Sequence, residues 1–196
     1  MSEIADTPDR VLIGGVGYRW MRDGSFGVVV SDLLSELEWP PHVEVADLGY
    51  GAILVAQDLM YATPRYTRLV LVASMQRGRE PGSLHSYKWS RSNVAESEIQ
   101  ARIHEAGGGV IELDHLLIVA DYLSVLPEDV VIFELEPVDT GFGEQLSHAA
   151  AQHHDAILER IRREALRPRC TPSALSVAVH TIPDAERRIE WSIRLS

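Results

Sequence analysis

The chain has 196 residues, of which 45% are apolar and 24% charged, which is typical of a soluble globular domain with one substantial core. Its formal net charge of −11 argues against nucleic acid or an anionic membrane as a partner, because both require a cationic face. The single cysteine, Cys170, excludes a disulfide framework within one chain. The acidic, polar start is unlike a secretory signal, and no stretch approaches the ~18 apolar residues of a membrane span. We therefore expect a cytoplasmic protein with no membrane insertion.

The first predicted element is a short buried strand at residues 11–13 that runs into a glycine turn at 14–17. A loop carrying Asp23 follows, and apolar residues then recur at spacings of three and four over 26–38, which predicts a helix. This order is the leading βα unit of an α/β domain. Because ligands of such folds bind at the carboxyl ends of the strands, we expect residues 18–25 to lie at the functional edge.

The rest of the chain continues to alternate strand and helix patterns. We predict further strands at 43–47, 69–73 and 130–137, and an edge strand within 80–87. Helices are predicted at 52–60, at 110–125 and from about 146 to 164. The segment at 88–109 is predicted to be irregular and to end in a glycine-rich loop. The run at 69–73 is continuously apolar, which indicates a central strand buried on both faces.

Together these elements predict an α/β three-layer sandwich, in which a mostly parallel five-stranded sheet carries helices on both faces. We assign this domain to residues 1–166 and a C-terminal extension to residues 167–196. Two alternating segments, at 173–180 and 187–195, flank a turn in the extension and predict a β-hairpin. Because an isolated hairpin is marginally stable, we expect it to pack on the domain or on a partner.

Several motifs resemble those of the nickel–iron hydrogenase maturation endopeptidases. The sequences of that family open with a strand that leads into G-x-G-N and then D-E-x-x-G before the first helix. Here a strand leads into Gly15-Val16-Gly17, and Asp23 precedes the first helix. Residues 80–84, EPGSL, resemble the segment E-P-G-T-hydrophobic, and residues 143–147, GEQLS, resemble G-x-x-L-S. The strand at 130–137 is similar to the V-x-L-x-G-I-x-P strand of the family.

The resemblance covers roughly residues 10–165 and implies a position for each metal ligand of the family. That family uses a glutamate, an aspartate and a histidine from three loops at the carboxyl edge of the sheet. The corresponding residues here are Gly24, Ser74 and Gly108, or Ala106 in a different register. Glycine and alanine have no donor side chain and neutral serine is a poor ligand, so the inherited ligand set is missing.

Other polar residues are expected near the same edge and could form a different site: Asp23, Asp47, Ser74 and His104. Each carboxylate also has an ordinary structural interpretation. Asp23 precedes a helix and is a candidate cap, and Asp47 is a candidate turn residue that bonds its own backbone. His153, on the apolar face of the last helix, is predicted to be a partly buried, hydrogen-bonded side chain rather than a ligand.

The resemblance implies a role in nickel–iron hydrogenase maturation, with the large-subunit precursor or another assembly factor as partner. It implies no resident cofactor, because the nickel belongs to the precursor. We expect a non-catalytic relative that serves hydrogenase assembly. Two alternatives remain open: an active endopeptidase with relocated ligands such as Asp23, Asp47 and His104, and a small-molecule-binding protein that uses the glycine loops of the same edge.

Overall fold

The computed structural model describes residues 9–91 and 94–168. In this part of the chain the strands are β1 (Val11–Val16), β2 (Val43–Asp47), β3 (Arg68–Ser74), β4 (Leu84–Lys88) and β5 (Asp129–Leu135). The helices are α1 (Phe26–Ser35), α2 (Ala52–Tyr61), α3 (Glu96–Gly107), α4 (Leu113–Tyr122), α5 (His148–Ala151) and α6 (His154–Ala165), and a 3₁₀ turn, Arg22–Ser25, precedes α1. The predicted hairpin of the C-terminal extension lies outside the described residues.

The five strands form one sheet in the order β2-β1-β3-β5-β4. β1 pairs in parallel with β2 and β3, β3 pairs in parallel with β5, and β4 runs antiparallel along β5. β3 lies in the centre and is buried on both faces, as its continuous apolar run predicts. The prediction of a mostly parallel five-stranded sheet is confirmed, and the edge strand expected after residue 80 is β4.

Side chains of successive strand residues point to opposite faces of the sheet, so a strand that is apolar throughout gives both faces an apolar surface. Helices cover both of these faces. Leu69 and Leu71 pack into a core with α2, α3 and α4. Val70 and Val72 pack into a second core with α1, α5 and α6. The three-layer arrangement is therefore confirmed. None of the helices in the described ranges is long and apolar enough to cross a membrane.

A pair of glycines lets α1 lie directly against the sheet. A Cβ atom on Gly15 would lie 2.2 Å from the carbonyl oxygen of Gly27, and a Cβ on Gly27 would lie 2.3 Å from the carbonyl oxygen of Val72. Neither position has room for a side chain, because backbone atoms cannot move aside as a flexible side chain can. This close contact brings the loop before α1 over the carboxyl ends of the strands.

The structure corrects three predicted segments. The segment at 88–109 is not irregular, because α3 occupies its second half. Its few apolar residues give a weak helical period, which explains the error, and the glycine run at 107–109 ends this helix. The helix predicted at 110–125 is confined to α4, and the helix predicted from about 146 to 164 is divided into α5 and α6.

Candidate functional site

The carboxyl ends of β1, β2, β3 and β5 meet at one edge of the sheet, because these strands are parallel. We use the term rim for the segments that cover this edge: residues 17–25, 48–51, 75–83, 108–114 and 136–147. Hydrogen bonds join these segments across the sheet. The Tyr18 hydroxyl, for example, accepts from the amide of Ile111 at 2.8 Å and donates to the carbonyl of Gly109 at 3.3 Å.

The loop between β1 and α1 is held in a strained conformation. Trp20 and Arg22 have φ angles of 62° and 43°, in the left-handed region that residues other than glycine rarely adopt. Gly143 fixes this backbone from the opposite side of the rim. Its amide donates to the carbonyl of Trp20 at 2.8 Å, and its carbonyl accepts from the amide of Arg22 at 3.0 Å. Strain of this kind persists only where surrounding contacts enforce it, and it concentrates at functional sites.

Asp23 is fully buried and serves as a structural anchor within the rim. One carboxylate oxygen accepts from the amides of Val138 and Asp139 at 2.9 and 3.2 Å, and the other accepts from the amide of Ser147 at 2.7 Å. The interpretation of Asp23 as a cap of α1 is wrong, since no side-chain bond caps that helix. Its carboxylate instead fixes the loop after β5, so it is already engaged.

Asp47 is also engaged, in the way its position predicts. One oxygen accepts from the amide of Gly49 at 2.7 Å, which closes the turn after β2. The other accepts from the guanidinium of Arg19 at 2.7 Å, and the same guanidinium binds Asp32 of α1 at 2.8 and 3.0 Å. Arg19 therefore joins the exposed carboxylate of Asp32 to the partly exposed carboxylate of Asp47.

The other sequence candidates do not form a cluster with these two carboxylates. Ser74 ends β3, and its hydroxyl oxygen is buried without a hydrogen-bond partner among the described residues. His104 lies on α3 with an exposed side chain. Gly24 lies within the 3₁₀ turn, and Gly108 follows the last residue of α3.

These residues do not fit a metal site of the kind that the resemblance implies. Such a site needs about three nitrogen, oxygen or sulfur donors around one ion. Within residues 9–91 and 94–168, no three histidine, cysteine, aspartate or glutamate side chains are close enough together to hold one. Asp23, Asp47 and His104 are thus not gathered around a common point in the part of the chain that the structure describes.

A guanidinium is the central group of the rim between β3, β5 and α4. Arg77 donates from Nη1 and Nη2 to both carboxylate oxygens of Asp114 at 2.7 Å each. Nη2 also donates to Oε2 of Glu134 at 3.1 Å, and Nε lies 3.3 Å from both oxygens of that carboxylate. Glu134 has no exposed surface, and it accepts further bonds from Arg79 at 2.7 Å and from the Tyr87 hydroxyl at 2.9 Å.

The charges of this cluster stabilise one another. Burial lowers the pKa of Arg77, but the hydrogen bonds and charges of Asp114 and Glu134 outweigh it and raise the pKa above its ordinary value. Burial, together with the negative charge of Glu134, raises the pKa of Tyr87. Both groups therefore keep their protons at neutral pH, so Arg77 remains a cation and Tyr87 remains a hydrogen-bond donor.

Sequence reasoning missed this cluster, although one signal pointed to it. Glu134 lies inside an otherwise apolar strand that was predicted to belong to the core. In the motif V-x-L-x-G-I-x-P it corresponds to the glycine. A carboxylate in that position requires a buried cation nearby, and Arg77 and Arg79 follow the end of the neighbouring strand β3.

The outer surface of the rim has a shallow pocket, and the two most exposed aromatic side chains of the rim belong to Trp20 and Phe142. The pocket, about 320 Å³ in volume, is lined by Arg22, Asp139 and residues 143–147. Arg22 donates to Asp139 at 2.7 Å, so these two charged groups of its wall are paired with each other. Beside it, Trp20 and Phe142 expose 56% and 82% of their surface. The bond between the carbonyl of Trp20 and the amide of Gly143 brings their backbones together.

Comparisons with known proteins identify the fold. Neither the protein-family models nor the curated proteins provide a match to this chain. Among solved structures, the chain is similar to a hydrogenase 2 maturation peptidase from a Thaumarchaeota archaeon, with 27% identity, a TM-score of 0.56, and coverage of 81% of this chain and 99% of that one.

Two further solved structures have the same fold. One is the hydrogenase maturating endopeptidase HybD from E. coli, with 20% identity, a TM-score of 0.58, and coverage of 78% of this chain and 89% of that one. The other is the [NiFe] hydrogenase maturation protease HybD from Thermococcus kodakarensis, with 18% identity, a TM-score of 0.55, and coverage of 80% and 99%. The resemblance seen in the motifs is thus confirmed, and the low identities make this chain a divergent example of the fold.

Proposed function

We propose that this chain is a non-catalytic relative of the nickel–iron hydrogenase maturation endopeptidases, and that it acts in the cytoplasm during hydrogenase assembly. Its partner is the large-subunit precursor or another assembly factor. In this role the chain binds its partner at the rim and leaves the C-terminal extension of the precursor in place.

The donor set of the rim is the observation that carries this proposal. The three positions that match the ligands of the family hold Gly24, Ser74 and Gly108. Of the alternative donors, Asp23 is engaged by three backbone amides and Asp47 by an amide and a guanidinium. Metal-assisted cleavage of a peptide bond needs an ion held with an open coordination position, and these side chains offer no such arrangement.

The exposed aromatic pair on the rim is the surface we assign to partner binding. Trp20 and Phe142 are large, adjacent and accessible, and residues of this kind contribute most of the binding energy in protein interfaces. The bonds to Gly143 fix the backbone that carries these side chains, so little backbone ordering is required when a partner binds.

Cleavage and binding are tested separately with one precursor. A nickel-loaded large-subunit precursor that retains its extension is incubated with this chain, and with an active maturation peptidase as the positive control. Intact-mass spectrometry is expected to show the extension removed only by the positive control. Removal of the extension by substoichiometric amounts of this chain would overturn the non-catalytic assignment.

Binding is measured by biolayer interferometry on the same precursor. We expect Trp20→Ala and Phe142→Ala each to weaken binding by about tenfold or more, which corresponds to about 1.4 kcal/mol for each aromatic contact. The matched control is Tyr61→Ala. Tyr61 is 78% exposed and is the last residue of α2, which places it at the edge of the sheet opposite the rim. Equal effects of all three substitutions, or no binding by the unmodified chain, would contradict the assignment of this surface.

A further inference from the structure

We propose that the guanidinium of Arg77 is a built-in cation of the rim, and that it holds together three segments of the chain, two of which, the one at the end of β3 and the one that leads into α4, carry ligand positions implied by the resemblance. The starting observation is its set of partners. Arg77 follows β3, Glu134 belongs to β5, and Asp114 lies in the first turn of α4. One side chain therefore joins three elements of the rim, as an ion bound by ligands from separate loops does.

The geometry of Arg77 corresponds to that of a shared cation. Its Nη2 atom lies 2.7 Å from an oxygen of Asp114 and 3.1 Å from an oxygen of Glu134. Two carboxylates that approach the same nitrogen this closely would repel each other without it. The planar guanidinium suits this task, because it can bind one carboxylate through two parallel bonds while its remaining donors bind another.

The main chain of Arg77 is fixed as firmly as its side chain. The buried carboxylate of Glu136 accepts from the amide of Arg77 at 2.9 Å and from the amide of Gly78 at 3.1 Å. Glu134 belongs to β5 and Glu136 directly follows the end of that strand, so Glu136 holds the backbone of Arg77 and Glu134 holds its guanidinium. The charge is therefore positioned in the rim independently of any partner.

The charge balance predicts what happens when Arg77 is removed. Two guanidinium groups, those of Arg77 and Arg79, lie among three carboxylates. They bind Asp114 and Glu134, whereas Glu136 accepts from the backbone amides of Arg77 and Gly78. Without Arg77 one cation remains for three carboxylates, a local excess of two negative charges. Asp114 exposes 40% of its side chain, so an ion from solvent can reach the vacated position. Carboxylate oxygens are suitable ligands for Mn²⁺.

The test measures whether an external cation replaces the one removed. Arg77→Ala is expected to lower the Tm by about 5–15 °C, because it leaves a buried carboxylate with one cation fewer. We expect about 1 mM MnCl₂, or a low millimolar concentration of guanidinium chloride, to recover about 5 °C or more of that loss. Electron paramagnetic resonance of Mn²⁺ should show binding to the variant at least tenfold tighter than to the unmodified chain.

Arg19→Ala is the matched control. Arg19 also joins two carboxylates, Asp32 and Asp47, but all three side chains are a third or more exposed. Water already solvates those charges, so we expect a small loss of Tm and no gain of Mn²⁺ binding. Arg77→Lys, which keeps the charge and loses the paired bonds, should lose some stability and gain no Mn²⁺ affinity.

Arg77→Gln serves as the second neutral variant if Arg77→Ala does not fold. The proposal is overturned if the neutral variant keeps the Tm of the unmodified chain, or if neither ion stabilises it more than it stabilises the Arg19→Ala variant. These experiments use the isolated chain and need no hydrogenase, so their failure would leave the proposed function standing. Conversely, a failure to bind the precursor would not affect this inference.

Discussion

Replacing Asp23 with asparagine tests whether this carboxylate is structural. The substitution keeps the size of the side chain and removes its charge. The asparagine carbonyl can still accept from the amides of Val138 and Asp139 if the new NH₂ group takes the place of the other oxygen. That NH₂ group then faces the amide of Ser147, so two donors oppose each other where a bond of 2.7 Å exists now.

The expected loss follows from these three contacts. The bond to Ser147 disappears, which costs about 1.5–3 kcal/mol for a hydrogen bond to a charged group. The two remaining bonds lose their charge assistance, at about 0.5–1 kcal/mol each. We therefore expect the free energy of unfolding to fall by about 2.5–5 kcal/mol, a large part of the about 5–15 kcal/mol that stabilises a typical domain.

Urea unfolding followed by far-UV circular dichroism measures this loss. Asp139→Asn is the control, because Asp139 lies in the same loop, forms an exposed ion pair with Arg22, and should cost less than about 1 kcal/mol. A loss below about 1 kcal/mol for Asp23→Asn would refute the reasoning, since the carboxylate would then not anchor the loop.

Two further predictions concern packing and pH. Gly27→Ala should abolish folding or lower the free energy of unfolding by more than about 4 kcal/mol, because its Cβ would lie 2.3 and 2.4 Å from backbone oxygens. The control is Gly107→Ala, which has open space around its Cβ and should be neutral or stabilising by up to about 1 kcal/mol. Circular dichroism and thermal unfolding compare the two. Burial lowers the pKa of His115, but its interactions with Glu112 and Glu105 outweigh the effect of burial and raise the pKa above its ordinary value. The stability that this imidazole contributes is therefore complete below about pH 6.5 and is lost as the pH rises through its folded pKa. The difference in unfolding free energy between the unmodified chain and His115→Gln, measured in urea between about pH 6 and 9, should shrink with rising pH, and a difference that grows would contradict this assignment.

The environments of two polar residues were predicted correctly from the sequence. Asp47 bonds the amide of Gly49, two residues away, and the short-range preference of aspartate for this turn suffices to predict it. His153 is partly buried and hydrogen-bonded, as predicted, although it lies between α5 and α6 and its partner, the carbonyl of Gly82, is 71 residues away. In both cases the nature of the residue and its immediate neighbours limit the possible environments.

Residues with distant partners were not predictable in the same way. Asp23 was interpreted as a cap of the helix next to it, but its partners lie at positions 138, 139 and 147. Arg77 and Glu134 are 57 residues apart in the chain. Nothing in the sequence near Arg77 indicates which carboxylate it binds, because that depends on the pairing of β3 with β5 and on the position of α4.

The sequence by itself determined the alternating strands and helices and the buried central strand. Each of these follows from the spacing of apolar residues or from the identity of single side chains, which are properties of short segments. Only the tertiary structure decided that Asp23 is an anchor and that a guanidinium lies among the carboxylates of the rim. The physical reason is that strong interactions between charges depend on distance and burial, and the fold sets both by bringing together residues that are far apart in the chain.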